Sequence, residues 1–317
     1  MTYVQRLTQH REQLQTFFAG FLTSENLSQL SQILALSVTE VEDGLQVYLN
    51  ESAAALNMIA PYLSPGGRVL ELGGGIPFLS VFLAHQGYQV VSVDSYEGPF
   101  AAFWQVAEQL RGMFPHQNIC LLHRDVQSLQ RSNLGEFSLI FSFNVLEHIT
   151  NPEAALATLS DLMTEDGRMI HSCPNYRIPY EPHFGLFLPP GWPQLGRYLY
   201  ASKISKRRDL WESLNFIHYR QVIRAAKHLH LHHQFERGTL AAHIDRLFND
   251  PIFQQRHRLI HFMAYVVRRM GGMALIRKLP PPWNTPMTFS LSQKPGTPGA
   301  TPHKSEPPPP TASSRTR

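Results

Sequence analysis

The run Glu71-Leu72-Gly73-Gly74-Gly75, followed by Asp94 twenty-one residues after Gly73, has the residue types and spacing of a nucleotide-type site. Glycines carry no Cβ, so the backbone can take positive φ and a ligand can lie directly against it. A carboxylate ending the next strand can then accept from ribose hydroxyls, beside a helix N-terminus. A second set of chemical groups lies in the run from Pro174 to Pro193, which holds Tyr176, Tyr180, Glu181, His183 and Trp192. Tyrosine and histidine there could orient or deprotonate an acceptor hydroxyl, and the aromatic rings could cover a planar or apolar substrate; a lid with no catalytic group is the competing reading. Four histidines, at 228, 230, 232 and 233, raise the question of a metal. Alternation on a strand puts His230 and His232 on one face, and no nearby cysteine or acid completes a ligand set, so an exposed strand is expected instead.

The elements that must position these groups can be read from periodicity. Residues 67–72 form a short apolar strand leading into the glycines, Pro77 suits the first turn of a helix, and residues 78–86 supply that helix's apolar face. Residues 89–93 form the second strand, ending at Asp94. A helix over 99–113, a strand over 119–122, and a fourth strand over 137–143 follow. Asn151-Pro152-Glu153 reads as a helix start, with Asn151 as the cap, Pro152 at the first position and Glu153 favourable to the dipole. A fifth strand covers 168–172. Strict alternation of strand and helix argues for a doubly wound parallel sheet.

The alternation breaks after residue 174. Residues 174–216 are too long and aromatic for a plain connector and read as a lid or substrate insertion overhanging the carboxyl ends of the strands. A helix over 219–229 and a strand over 230–236 follow, then a second insertion at 237–282, and a last strand over 287–292. Residues 1–63 look helical, with 1–44 taken as an N-terminal segment and 45–293 as the main domain. Residues 294–317, composed of Pro, Ser, Thr, Gly and charge, cannot build a core and are expected to be disordered.

A chain of 317 residues with 43% apolar content can bury a sizeable core. Two cysteines, Cys120 and Cys173, in strand-like runs argue against a disulfide scaffold and for a reducing compartment. The N-terminus has charge and glutamine where a signal peptide would be apolar, which suggests a cytoplasmic protein. A net charge of +4 is too weak to imply a nucleic-acid partner. Charge is nevertheless concentrated: between Pro251 and Pro281 stand Arg256, Arg258, Arg268, Arg269, Arg277 and Lys278 with no acid. With Leu259, Phe262, Met263, Val266, Val267, Met270 and Met273 at near-helical spacing, residues 252–279 suit either packing against the domain or a second subunit, or peripheral contact with an anionic membrane.

A dinucleotide fingerprint would need glycine at 73, 75 and 78, and position 78 is Phe. The run from Glu71 to Pro77 instead resembles the acid-x-G-x-G motif of class I S-adenosylmethionine-dependent methyltransferases. The likeness continues through residues 137–175, where the fourth strand ends in Asn144 and a Leu146-Glu147-His148 turn follows. It implies an α/β, Rossmann-like, seven-stranded sheet, here with a helical N-terminus and two insertions, and S-adenosylmethionine as cofactor. On the matching positions, Gly73 and Gly75 would pass the methionine part and Glu71 would hold the turn or a water near the amino group. Asp94 would bind the ribose hydroxyls, Asp125 with the Val126 amide would meet the adenine edge, and Asn144 would line the methionyl side.

In some small-molecule members the histidine matching His148 acts near the acceptor, or binds a divalent metal with two preceding acids. Asn144, three residues before Glu147, is a poor substitute for a carboxylate on a hard cation, so no metal is expected. Imidazole has a suitable pKa for a general base, which makes His148 the first candidate and His183 the second; packing or capping of the turn is the competing role for His148. The resemblance implies methyl transfer to a small-molecule or lipid-linked acceptor, most simply at oxygen. The alternative is a catalytically silent S-adenosylmethionine-binding module acting through a partner or a membrane.

Overall fold

The computed structural model describes residues 3–249, 254 and 258–293. The expected tail at 294–317 lies outside the described residues, as do Arg256 and the side chain of Arg258. Three helices open the chain: α1 (Tyr3–Phe17), α2 (Ser24–Leu34) and α3 (Val38–Ile59). The last is started by a capping box, in which Ser37 Oγ accepts from the Glu40 amide at 3.3 Å and Glu40 Oε2 accepts from the Ser37 amide at 2.8 Å. It runs unbroken through Gly44, so the expected boundary between 44 and 45 falls inside one helix. Gly44 is tolerated inside the helix because α3 buries Val41, Leu45, Leu49, Ala53, Leu56 and Ile59 along one face.

The alternating strands and helices then follow: β1 (Arg68–Leu72), α4 (Phe78–His85), β2 (Gln89–Asp94), α5 (Phe103–Met113), β3 (Ile119–His123), β4 (Phe137–Phe143), α6 (Pro152–Asp161) and β5 (Met163–Cys173). Asn151 caps α6 through Oδ1, which accepts from the Ala154 amide at 3.1 Å. Among the described residues the sheet has seven strands in the order β3-β2-β1-β4-β5-β9-β8, completed by β8 (His232–Phe235) and β9 (Met287–Ser292). The first five run parallel, β9 runs antiparallel to β5, and β8 antiparallel to β9. The strand order reverses between β1 and β4, so a crevice opens there at the carboxyl ends, where the glycine turn lies.

Side chains alternate across the sheet. Leu70, Leu72, Val91, Val93 and Ile140 pack on one face with α6 and α7 (Tyr219–His228), through Leu156, Leu159, Val222 and Ala225. Val69, Val90, Leu139 and Phe141 pack on the other face against Leu56 and Ile59 of α3 and Leu79 and Leu83 of α4. Both faces are covered, which is why these strands read as near-continuous apolar runs. The N-terminal helices extend this second layer, with Leu14, Phe18 and Phe21 set against Phe78 and Val81. Each such fully buried side chain contributes about 1.5–3 kcal/mol relative to exposure.

The insertion at 174–216 carries a small core of its own, comprising Tyr176, Leu186, Leu188, Ile204, Trp211, Leu214 and Phe216. It includes a short hairpin, β6 (Tyr180–Glu181) with β7 (Leu186–Phe187). In the second insertion α8 (Thr239–Leu247) and α9 (Arg258–Arg269) meet through Ala241, Ile244, Leu247 and Ala264. The strand expected at 230–236 begins only at His232, because His230 has a φ of +56° and cannot continue a ladder.

Candidate active site

The three glycines make a cradle because at Gly73 and Gly74 the place where a side chain would begin is already taken, and at Gly75 the backbone stands at positive φ. Gly73 has a φ of +72° and donates its N–H to Val93 O at 2.7 Å. A Cβ there would overlap the methyls of Val145, and one on Gly74 would overlap Ser92 Oγ. Gly75, with a φ of +50°, donates to Asp94 Oδ2 at 2.9 Å, and its carbonyl accepts from Tyr96 OH at 3.0 Å. The turn is thus bare backbone facing a cavity of about 1310 Å³. That volume exceeds the roughly 300–1,000 Å³ of a single-ligand pocket and leaves room for two bound molecules.

Gly73, Gly75, Asp94, Asp125, Val126, Asn144, His148 and His183 all line this one cavity. Asp94 ends β2 with both oxygens engaged by backbone, Oδ1 accepting from the Tyr96 amide at 2.8 Å and Oδ2 from Gly75. Each oxygen keeps a lone pair for a further donor. Burial raises its pKa, against the two amide hydrogen bonds that favour the charge. Asp125 caps the turn Val126–Ser128 by accepting from the Gln127 amide at 2.6 Å, and stays exposed to the cavity. Asn144 sits at a φ of +57°, a conformation asparagine tolerates, and its Nδ2 donates to Glu51 Oε1 of α3 at 3.4 Å.

Glu71 is placed differently from the rest. It does not line the cavity but lies buried behind the turn, where Oε2 accepts from Ser80 Oγ at 2.5 Å and ties β1 to α4. Burial pushes its pKa up to about 7, the Ser80 hydrogen bonds opposing and the Asp94 charge adding. Of the two roles expected for it, holding the turn is the one that this contact between β1 and α4 serves.

Across the cavity stands the turn Leu146–His148. His148 Nδ1 is 2.8 Å from Ser213 Oγ, and that hydroxyl donates its one proton to Leu210 O at 2.8 Å. Ser213 can then only accept, so Nδ1 carries the imidazole proton and Nε2 keeps a lone pair. Burial foremost, with the neighbouring His183, lowers the His148 pKa to about 3, so the ring is neutral across the physiological range. His183 arrives from the β6–β7 hairpin, its ring centroid 5.1 Å from that of His148. Glu181 fixes it: Oε1 lies 2.6 Å from His183 Nδ1 and accepts from the His183 amide at 3.0 Å, while Oε2 accepts from the Phe184 amide at 2.7 Å. Burial opposes a charge on His183, but the hydrogen bond and charge of Glu181 with the charges of Glu147 and Glu51 prevail, so its pKa is raised.

Sequence reading missed what holds this wall in place. Asn215 clamps the turn, donating Nδ2 to Leu146 O at 2.6 Å and Ile149 O at 2.7 Å, while its amide donates to Glu147 O at 2.8 Å. Ser213, Asn215 and Glu51 lie 65 to 93 residues from their partners, and no local pattern marks them. Conversely, the histidines at 228 to 233 form no ligand cluster among the described residues. A smaller hollow lined by Arg68, Gln89 and Cys120 sits at the opposite, amino-terminal ends of the strands and holds no carboxylate or histidine.

The family model for a methyltransferase domain matches residues 46–244. An uncharacterised protein of Mycobacterium tuberculosis is 30% identical over 203 residues, covering 61% of this chain and 67% of that protein. A ubiquinone biosynthesis O-methyltransferase of Dechloromonas aromatica is 26% identical over 149 residues, 44% of this chain and 62% of the enzyme, so this chain spans less than two thirds of it. Among solved structures, a phosphoethanolamine N-methyltransferase of Haemonchus contortus in complex with S-adenosyl-L-methionine is 16% identical with a TM-score of 0.47, over 78% of this chain and 53% of that chain, about half its length. The family match spans the glycine cradle, Asp94, the Asn144 to His148 turn and the 174–216 insertion, and the chain belongs to the S-adenosylmethionine-dependent methyltransferases.

Proposed function

We propose that this protein transfers the methyl group of S-adenosylmethionine to a hydroxyl of a small or lipid-linked acceptor. The observation that carries the reading is one cavity with two unlike walls: a bare glycine cradle with Asp94 on one side, and His148, with its Nε2 lone pair free, on the other. The residues fit the cofactor, because Gly73 and Gly75 present bare backbone at positive φ to the cavity and Asp94 keeps lone pairs for two hydroxyls. Gly73, Gly75 and Asn144 would hold the methionyl part, Asp94 the ribose, and Asp125 with Val126 the adenine edge. Bound there, the cofactor supplies a methyl group already activated by its sulfonium sulfur.

The protein's own work is then positioning, because burial that holds the His148 pKa near 3 makes that ring a hydrogen-bond acceptor and a poor store for a proton, which is a correction to its expected role as general base. The acceptor hydroxyl meets the wall formed by His148 and His183, where the neutral His148 imidazole accepts its hydrogen bond. The self-packed 174–216 insertion covers this wall and keeps water from it. A lipid-linked acceptor is supported by α9, which buries Ala264 and exposes Phe262 (63%), Met263, Tyr265 and Val266 beside Arg268 and Arg269, with Met270 (80%) exposed in the turn that follows. An exposed apolar stripe with basic neighbours suits the surface of an anionic membrane. No helix among the described residues is long and apolar enough to cross a membrane.

Methyl-labelled S-adenosylmethionine incubated with the protein and cell extract tests the reading. Label is expected in a base-stable, low-molecular-weight product, and partition into chloroform would place the acceptor among lipids. Label confined to protein or nucleic acid, or no transfer, would overturn it.

A further inference from the structure

We propose that the exposed face of α7, headed by Arg177 and Trp283, is a docking surface for an acidic helix of another protein. From Ser213 to Phe235 the chain carries no Asp or Glu. Within that stretch α7 turns Val222, Ala225 and Ala226 inward and leaves Arg220, Arg224 and Lys227 exposed. Their spacing of i, i+4 and i+7 lines them up on one side of the helix over about 10 Å. Among the described residues none of the three has an ion-pair partner, and neither has Arg177. Their field reaches His218, the residue before α7. Burial foremost, then the charges of Arg220, Arg224 and Arg177, lower its pKa, and a backbone hydrogen bond, not a carboxylate, opposes them.

The head of this stripe is held in place from three segments of the chain. The Arg177 guanidinium lies 4.7 Å from the centroid of the Trp283 ring and 5.6 Å from that of Tyr219, the first residue of α7. Trp283 stays 48% exposed beside it. Buried Asn175 pins the segments together: Nδ2 donates to Pro282 O at 3.1 Å and Asn284 O at 2.9 Å, and Oδ1 accepts from the Arg177 amide at 3.3 Å and the Tyr219 amide at 3.4 Å. A surface fixed in this way loses little freedom on binding. Arginine, tryptophan and tyrosine are also the side chains that most often anchor protein interfaces. No large apolar side chain is exposed between residues 213 and 235, so this face, unlike α9, has nothing to insert into a bilayer. A net charge of +4 over the chain is small for a protein that gathers nucleic-acid phosphates. A straight row of three cations matches carboxylates at the same spacing on a facing helix, and such complementarity sets register and partner choice. Arg177, Arg220, Arg224, Lys227 and Trp283 do not line the cavity over the glycine cradle, so docking is independent of the proposed reaction.

The test needs neither acceptor nor methyl transfer. The full chain is titrated, with fluorescence anisotropy as the readout, against a labelled helical peptide carrying Glu at i, i+4 and i+7 and against the same peptide carrying Gln. Saturable binding of the Glu peptide is expected, with the Gln peptide weaker by about tenfold or more. Arg220→Glu combined with Arg224→Glu should weaken the Glu peptide by about tenfold or more and Trp283→Ala by about threefold or more, while S-adenosylmethionine affinity stays within about twofold. Arg220→Gln with Arg224→Gln serves as the milder pair if charge reversal perturbs the fold, which circular dichroism reads. Arg268→Glu with Arg269→Glu should leave peptide binding unchanged. The proposal is overturned by absence of saturable binding, by equal affinity for the Gln peptide, or by binding that survives loss of Arg220 and Arg224. Tighter binding of a DNA duplex or of phosphatidylglycerol vesicles, lost in the Arg220 and Arg224 variant, would also overturn it and assign the face to that partner.

Discussion

Asp94→Ala is expected to lower the affinity for S-adenosylmethionine by about 10²- to 10⁴-fold, from two lost hydrogen bonds to a charged acceptor at about 1.5–3 kcal/mol each. The carboxylate ends β2 beside the cradle, with lone pairs left for two hydroxyls after binding the Gly75 and Tyr96 amides at 2.9 and 2.8 Å. The substitution also releases those amides, so Gly75 loses the tie that sets its orientation. Asp94→Asn separates the two effects. It preserves size and one acceptor oxygen but turns an NH₂ toward a backbone N–H, and at least a tenfold loss is expected. Calorimetry on both variants, with circular dichroism to confirm the fold, reads the result. Affinities within threefold of the parent would mean that Asp94 serves only the turn.

His183→Ala is expected to cut turnover by about 10² or more while cofactor affinity stays within twofold, and His148→Ala to cut it by about 10²- to 10⁴-fold. The two residues hydrogen-bond to Ser213 and Glu181 and not, among the described residues, to the glycine cradle or Asp94, so loss should appear in kcat and not in cofactor binding. His183→Ala is the cleaner of the two. Glu181, the buried acid behind it, still accepts from the 183 amide, the Phe184 amide at 2.7 Å and Tyr176 OH at 3.3 Å, so the hairpin keeps its internal bonds. His148→Ala leaves Ser213 Oγ still donating to Leu210 O, which spares the loop that carries it. Single-turnover rates with the acceptor identified by labelling check both. Unchanged turnover in His183→Ala would remove His183 from the reaction.

What could be read before the structure was local. The glycine turn, Asp94, the Asn151 cap and the strand alternation each depend on residues within about one turn or one strand of each other, and each stands where its chemistry put it. Glu71 was legible as an acid before the turn but not as one facing inward, because only the pairing of β1 with α4 decides that Ser80 takes its oxygen. The boundary expected between 44 and 45 falls in a helix interior, since the Ser37 and Glu40 capping box has already started α3. The acceptor wall was the least legible part. His148 and His183 were each visible as candidates, yet their meeting, the orphaned Glu147 between them, and the clamps from Ser213 and Asn215 come from folding a 43-residue insertion (174 to 216) back over the strand ends. Separations of this length are set by the lid's own apolar core, which no motif in the chain announces.

The cavity over the glycine cradle is central to the account, and the most direct measurement is titration calorimetry of the unmodified protein with S-adenosylmethionine, S-adenosylhomocysteine and NAD. One-to-one, saturable binding of both sulfur ligands and none of NAD is predicted. Failure to bind either sulfur ligand, or binding of NAD in their place, would contradict it.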